Sequence, residues 1–331
     1  MIRLFRVRGI PVQIDYGWLL TFAVISWSLA SGYFPRVIPE LSPAAYWLQG
    51  LVAALLLFVT VFLHELSHAL VALAHGMRVG GITLHIFGGV SQLESEPPSP
   101  RAELLIAAVG PLTSFVIAGL CWSIGKALPA GPPWALALTS YLAVVNFVVG
   151  VFNLVPGFPL DGGRILRATL WAWRGSLDWA TRWASRAGST FAGLLMAVGV
   201  LRTLAGDLIG GLWLLMTGLF LHQAAQSSYH LVRVRTRLEP LRVLEIMTPA
   251  VDADLPLRES DGAAANSRAS AAEAVVSPAD SAWLAFTRLA NSRGRRVIVV
   301  DDGRVIGIVS DRDLQPLLRD ERTPAGARRA A

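Results

Sequence analysis

Long apolar blocks with almost no charge are the feature that most limits how this chain can fold. A bilayer core requires about 20 apolar residues per helix, and six blocks of the sequence come close to or exceed that length. Only 16% of the 331 residues are charged, against about 25% in soluble domains. The sequence therefore predicts a polytopic α-helical membrane protein with six transmembrane helices. The blocks are Tyr16–Phe34, Tyr46–Leu63 with a continuation past Glu65 to Met77, Leu104–Gly125, Pro133–Leu160, Ala187–Leu204 with the single charge of Arg202, and Leu208–Ser228.

The basic residues predict membrane topology and not a nucleic-acid partner. The formal net charge is +6, and arginines concentrate before the first block, between the fourth and fifth blocks, and after the sixth. Cytoplasmic loops hold an excess of Lys and Arg, so this pattern predicts a multi-pass protein of the cell (plasma) membrane with both termini in the cytoplasm. We expect the first block to remain as a span, because no cleavage site of small residues follows it.

Two regions depart from the helical pattern. The segment Val79–Glu94 alternates apolar residues around a Gly-Gly pair, which predicts a β-hairpin associated with the membrane domain. Charges return after Leu238, and the end of the chain follows a helix, strand, turn, strand, helix pattern. We therefore predict a transmembrane domain over residues 1–228, a linker with the start of a second module over 229–278, and a soluble α+β core over 279–321.

The motif "HELSH" at His64 places ionisable groups inside the second apolar block. On a helix, His64 and His68 lie about 40° apart around the axis and about 6 Å apart along it, so their rings can converge on one ion. Glu65 projects about 100° from His64 and can reach a water bound to that ion. Ionisable residues in a span are costly and usually functional. The spacing therefore predicts a zinc site in which Glu65 acts as a base.

Zinc held by two histidines needs a third protein ligand and an open position for water. The carboxylates in reach along the sequence are Glu94, Glu96 and Glu103, at the end of the hairpin, and Asp161. Asp161 ends the segment "NLVPGFPLDGG", whose prolines and glycines unwind the end of a span. Unwound backbone at membrane depth is tolerated where it lines a site. This favours Asp161 as the third ligand, with a helix N-cap as its alternative role.

The motifs "HELSH", "FGGVSQL" and "NLVPGFPLDGG" together resemble the site-2 protease family of intramembrane zinc metalloproteases, over roughly Met1–Ser228. The resemblance implies one zinc ion bound by His64, His68 and Asp161, with Glu65 as general base. It implies that Asn153 positions the substrate or stabilises the oxyanion, and that the substrate is a single-span, membrane-anchored regulatory protein. Asn146, a nearby polar residue, is instead predicted to hydrogen-bond between helices.

The end of the chain, with "EIMTP" and "RRVIVVDDGRVIGIVSDRDL", resembles a CBS domain. The resemblance implies regulation by an adenine nucleotide, with Ser310 and Asp313 contacting ribose or phosphate. Since one clear copy is present, it also implies a homodimer that pairs two such modules. Two alternatives stay open: a CBS-regulated transporter or channel that uses the His/Glu/Asp cluster as an ion path, and a metal-binding regulator without protease activity. Transporters usually have repeated halves with paired broken helices, and the sequence contains one broken segment.

Overall fold

The structure is a computed structural model and describes residues 1–39, 41–85, 88–93, 95–127, 131–249, 274–292 and 296–319. The chain forms two units, Met1–Ser228 and Tyr229–Ala331. The boundary between the two units falls within the last long helix. Residues 229–238, which the sequence places in a linker, are therefore helical.

The first unit is built mainly from long helices. Among the described residues, six segments are long and apolar enough to cross a membrane, which confirms the predicted number. They are Tyr16–Val37, α3, α4, α5, α7 and α8. The helix bounds are α1 (Tyr16–Ser28), joined by a π-helical turn at Leu29–Tyr33 to α2 (Phe34–Val37), α3 (Pro43–Ala74), α4 (Pro100–Ala127), α5 (Pro133–Asn153), α6 (Asp161–Arg174), α7 (Leu177–Leu204) and α8 (Leu208–Leu238).

Helix α3 illustrates how the long helices begin and pack. The Ser42 hydroxyl accepts a hydrogen bond from the Ala45 amide, and Pro43 occupies the first turn, where it sacrifices no intrahelical bond. Small residues such as Ala53 and Ala69 are fully buried at contacts with different neighbours, whereas Leu48 is 65% exposed. Small residues at contacts let helices approach closely, and exposed leucines suit a surface that faces lipid.

The predicted hairpin is present as β3 (Val79–His85) and β4 (Gly88–Leu93), but it belongs to a larger sheet. Two unpredicted strands, β1 (Ile2–Val7) and β2 (Ile10–Ile14), extend it to four strands in the order β1-β2-β3-β4. Strands β2 and β3 run parallel, and the other neighbours are antiparallel. Ile10 and Ile82 pack against Ala69 of α3, so the sheet lies on the helix that carries the histidines and presents β4 as an outer strand.

The second unit contains the predicted strand, turn, strand and helix. Its sheet has the order β5-β8-β7-β6, with β6 parallel to β7. One face of the sheet buries valines, including Val297, Val299 and Val309, against Leu289 and Leu314. Residues 250–273 of the predicted linker lie outside the described residues. The elements are α9 (Val243–Ile246), β5 (Thr248–Pro249), β6 (Ala274–Val276), α10 (Ala282–Asn291), β7 (Arg296–Asp301), β8 (Arg304–Ser310) and α11 (Asp311–Arg319).

Candidate metal centre

Two buried imidazoles from successive turns of α3 form the centre of the site. His64 is 5% exposed and His68 is 3% exposed, and their ring centroids are 4.9 Å apart. This is the geometry expected for residues four apart on a helix, which share one face. Burial of two imidazoles in an apolar span requires that their ring nitrogens have partners.

The neighbouring helix α4 orients both rings. Nδ1 of His68 lies 2.5 Å from the carbonyl oxygen of Ile106, and Nδ1 of His64 lies 2.9 Å from Oγ of Ser114. A carbonyl oxygen can only accept, so the proton of His68 is assigned to Nδ1. Metal-binding histidines usually donate their second ring N–H in this way. The arrangement leaves Nε2 of each ring available as a ligand.

Asp161 is brought to both rings from a position 97 residues further along the chain than His64. Its Oδ2 atom lies 3.1 Å from Nε2 of His64 and 3.2 Å from Nε2 of His68. The three ligand atoms lie within 4.8 Å of one another. The alternative role of Asp161 as an N-cap is wrong, because the N-cap position of α6 is Leu160 and Asp161 is the first helical residue.

The three donor atoms fit a metal ion. With the proton of His68 on Nδ1, its Nε2 lone pair faces a carboxylate oxygen, and such a contact is favourable when a cation lies between them. Ligand atoms about 2 Å from a tetrahedral ion are about 3.3 Å apart, close to the observed 3.1 and 3.2 Å. Two imidazoles and one carboxylate are also a ligand set that zinc takes in catalytic sites.

Glycines in the segment before α6 explain how Asp161 reaches this position. A Cβ atom on Gly162 would lie 2.3 Å from the carbonyl oxygens of Leu154 and Val155. A Cβ on Gly163 would lie 2.3 Å from the carbonyl carbon of Gly157. The loop after α5 therefore folds directly onto the first turn of α6, which larger residues would prevent. The glycines of the "LDGG" part of the motif thus permit a close backbone contact, and this contact positions the Asp161 carboxylate.

Gly110 of α4 is a site residue that the sequence does not reveal. A Cβ atom at this position would lie 2.1 Å from Nε2 of His68 and 2.6 Å from Nε2 of His64. The backbone of α4 thus lies directly against the two ligand nitrogens. Only contact with the histidines identifies this glycine, since glycines are common in transmembrane helices.

Glu65 occupies a different environment from the three ligand residues. Its Oε2 atom accepts a hydrogen bond of 2.9 Å from the Ser91 hydroxyl, which also lies 3.0 Å from the Glu65 carbonyl oxygen. Ser91 is on β4, and Gly89 of the same strand would place a Cβ 2.3 Å from Cγ of Glu65. The outer strand of the sheet therefore packs against the carboxylate that the sequence predicts as the base.

The other described carboxylates considered as ligands lie elsewhere. Glu96 and Glu103 both form ion pairs with Arg167, and Glu94 lies outside the described residues. Asn153 is the last residue of α5 and is half-buried, at the start of the loop that leads to Asp161.

Two further polar predictions have different outcomes in the structure. Asn146 is buried and donates to the Leu142 carbonyl of its own helix, where the sequence predicts a bond between helices. In the second unit, Asp313 accepts hydrogen bonds from the Ser310 amide and hydroxyl and from the Thr248 hydroxyl, each 2.7 Å long.

Comparisons with known proteins identify a related family for each part of the chain. The model of "Peptidase family M50" matches residues 52–131 and 130–195, and that of the "CBS domain" matches residues 268–319. A protein of Synechocystis sp., provisionally named a zinc metalloprotease, is 36% identical over 261 residues, which are 78% of this chain and 68% of the relative. The zinc metalloprotease MJ0392 of Methanocaldococcus jannaschii is 32% identical over 75% of this chain and 66% of its own.

The chain belongs to peptidase family M50. This membership confirms the resemblance to the site-2 proteases. It also confirms the prediction that the chain is a zinc metalloprotease. The match to the CBS domain confirms the second resemblance. A solved site-2 protease from Methanocaldococcus jannaschii is similar at 30% identity, with a TM-score of 0.48, over 69% of this chain and 94% of that protein.

Proposed function

We propose that this M50 member is an intramembrane zinc endopeptidase that cleaves a transmembrane segment of a membrane-anchored regulatory protein. The observation that carries the proposal is the approach of Asp161 to His64 and His68, which lie in a helix long and apolar enough to span a membrane. Nε2 of each histidine and Oδ2 of Asp161 would hold the zinc ion. Bound there, zinc would polarise the scissile carbonyl and lower the pKa of its water towards about 7.

Glu65 would move the proton in this reaction. Its carboxylate would accept a proton from the attacking water and deliver it to the leaving amine nitrogen. The hydrogen bond from Ser91 fixes one carboxylate oxygen, which leaves the other free to face the substrate. Asn153, at the start of the loop that leads to Asp161, would position the substrate or stabilise the oxyanion.

The outer strand β4 would hold the substrate in an extended form. A transmembrane helix hides its amides in i→i−4 hydrogen bonds, so it must unwind before hydrolysis. β4 is the outer strand of its sheet next to Glu65, and an extended peptide can add to such an edge through main-chain hydrogen bonds. This arrangement would present an unwound segment beside the proposed base.

The decisive experiment compares Glu65→Gln with the unchanged protein and with a control, Glu239→Gln. Glu239 is an exposed carboxylate just after α8 that pairs with Arg235. Each variant is co-expressed with a single-span model substrate, and cleavage within the span is read by mass spectrometry. Glu65→Gln should retain zinc and lose cleavage, while Glu239→Gln should match the unchanged protein. Cleavage by Glu65→Gln at the normal rate would overturn the mechanism. Cleavage should also stop with 1,10-phenanthroline, and an intact protein that binds zinc without any cleavage would instead indicate a non-proteolytic regulator.

The proposal includes a topology, in which the protein lies in the plasma membrane and both of its termini are in the cytoplasm. The arginine-rich segments support it, since all of them would then lie on the cytoplasmic side. Reporter fusions at the loops around residues 40, 130 and 206 test it, because these loops should all report the outer side. Family membership does not favour the alternative of a transporter or channel.

The CBS module is proposed to modulate the peptidase by binding an adenine nucleotide at Ser310 and Asp313 and by pairing two chains. Half-buried apolar side chains of Val275, Ile298 and Ile308 are in register across β6, β7 and β8, on the face opposite the buried valines. Such a row supports pairing with a second copy. Mass photometry of the full chain and of Ile298→Lys tests the pairing, and thermal shifts with AMP and ATP test nucleotide binding.

A further inference from the structure

A second buried polar cluster lies close to the metal centre along the same helices. Arg167 of α6 is 6% exposed, and Glu103 of α4 is fully buried. Nε of Arg167 donates to Oε1 of Glu103 over 2.6 Å, and Nη2 donates to Oε2 of Glu96 over 3.0 Å and also contacts Oε1 of Glu103. One guanidinium therefore binds two carboxylates from separate parts of the chain.

Arg167 stays charged in this environment. Burial lowers its pKa, but Glu96 and Glu103 outweigh burial and hold the pKa above its ordinary value. A planar guanidinium with donors in a fixed fork suits two carboxylates at defined angles, which a lysine cannot reproduce. The cluster is thus a rigid polar link within an otherwise apolar bundle.

The partners of Arg167 belong to the elements that build the metal centre. Glu103 begins α4, the helix whose Ile106 carbonyl and Ser114 hydroxyl orient the two imidazoles. Arg167 itself lies six residues after Asp161 on α6, about 9 Å along the helix axis. The guanidinium also stacks on Phe158, 5.3 Å from the ring centroid, in the loop before Asp161.

Glu96 adds the third element. It follows β4, the strand that contacts Glu65 through Ser91. The ion pair of Arg167 with Glu103 fixes α6 against α4, and its ion pair with Glu96 fixes the chain that leaves β4. The imidazoles belong to α3 and are oriented by hydrogen bonds to α4, whereas the ligand carboxylate belongs to α6. The separation of Oδ2 from the two Nε2 atoms therefore depends on how α6 is held against α4 as well as against α3.

We propose that Arg167 is a positioning residue that sets α6 against α4 through Glu103 and thereby places Asp161 at the two imidazoles. The inference rests on the metal site of the proposed function. It assigns to Arg167 no contact with substrate or with the reacting atoms. Replacement of Arg167 should therefore change the affinity for zinc and the coordination geometry of the bound metal, both of which are measured without a cleavage assay.

Removal of one partner would leave a buried, unpaired charge, so the main test replaces both. Exchange of a buried ion pair for apolar residues of similar size is often neutral for stability. The double variant Arg167→Met with Glu103→Leu is prepared in the full chain in detergent, beside Arg174→Met as control. Arg174 ends the same helix and stacks on the ring of Trp179. The readouts are the unfolding temperature of the metal-free protein, zinc affinity by chelator competition, and the absorption spectrum of the Co²⁺-loaded protein.

We expect the double variant to unfold near the temperature of the unchanged protein but to bind zinc about 10–100-fold more weakly, as observed when groups that orient metal ligands are removed. Its Co²⁺ spectrum should differ from that of the unchanged protein, whereas Arg174→Met should match it. If the double variant does not fold, Arg167→Lys decides, with an expected several-fold loss of zinc affinity. Unchanged affinity and spectrum in the variant that folds overturn the inference. An unchanged protein that binds no zinc overturns the proposed function itself.

Discussion

Asp161 and Asp313 occupy similar places in the two units of the chain, yet their surroundings are opposite. Each lies in the first turn of a helix, and each is predicted from a family resemblance to bind a ligand. Oδ2 of Asp161 faces two imidazole nitrogens from a distant helix. Both oxygens of Asp313 accept hydrogen bonds from nearby Ser310 and Thr248.

The difference separates a carboxylate that faces possible metal ligands from one that already accepts hydrogen bonds from the protein. The oxygens of Asp313 already accept three hydrogen bonds from protein donors, and the bond from the Ser310 amide resembles one half of a capping box. Asp161 instead faces two ring nitrogens, and the His68 ring donates from its other nitrogen to a carbonyl oxygen. The contact between Nε2 of His68 and the carboxylate is therefore favourable when a cation lies between them. The surroundings of each aspartate, more than its motif, indicate which role it has.

The largest expected effect is that of Asp161→Ala, compared with Asp313→Ala in the same preparation. Loss of a ligand should lower zinc affinity by more than the roughly 100-fold seen when only an orienting group is lost, and cleavage should fall with it. Zinc content of the purified protein, measured by mass spectrometry, checks this. Full zinc occupancy in Asp161→Ala would mean that the comparison between the two aspartates is mistaken.

Gly110→Ala should have the next largest effect, because the new Cβ would lie 2.1 Å from Nε2 of His68 and α4 would have to move away. We expect a loss of zinc affinity of about 100-fold, at the upper end for changes that disturb ligand orientation. Gly119→Ala on the same helix is the matched control, since its Cβ would have nothing within 4 Å. Equal zinc affinity for both alanine variants would contradict the close approach of α4 to the site.

Ser91→Ala should reduce cleavage without loss of zinc, because it removes a hydrogen bond to Glu65 and leaves the three ligands untouched. A hydrogen bond to a charged group contributes about 1.5–3 kcal/mol, so we expect cleavage to fall about tenfold or more. The control is Thr169→Ala, whose hydroxyl bonds to Ile165 in its own helix. A parallel fall in zinc content would show that Ser91 supports the metal centre and not the base.

The smallest effect on the enzyme is expected for Asp313→Ala. Thr248 and Ser310 would lose their acceptor, which should destabilise the second unit by about 1–3 kcal/mol. Hydrogen exchange of peptides from β5 and β8 in the full chain should become faster, while zinc content stays the same. The exposed Arg312 provides a control substitution to alanine on the same helix. Unchanged exchange, together with loss of nucleotide binding, would favour a binding role for Asp313 over a structural one.

Much of this molecule could be predicted from local patterns. Charge-free blocks predict the spans because bilayer thickness sets their length, and the spacing of His64 and His68 predicts a shared face because the helix repeat sets it. The strand pair Ile2–Val7 and Ile10–Ile14 is not predicted, because its sheet partner β3 lies beyond helices α1 to α3 in the chain. Gly110 and Ser114 were missed because neither has a distinctive sequence signal, and each gains its role only by contact with a histidine.

By itself, the sequence determined where the chain enters the membrane, which helix carries the histidines, and which segments resemble a peptidase and a CBS domain. These depend on hydrophobicity and helical repeat, which act over neighbouring residues. Only the tertiary structure decided, among the described carboxylates, that Asp161 approaches the imidazoles and that Glu96 and Glu103 pair with Arg167. That choice depends on how α3, α4 and α6 pack, and packing between distant helices is set by the three-dimensional fit of side chains that no local pattern records.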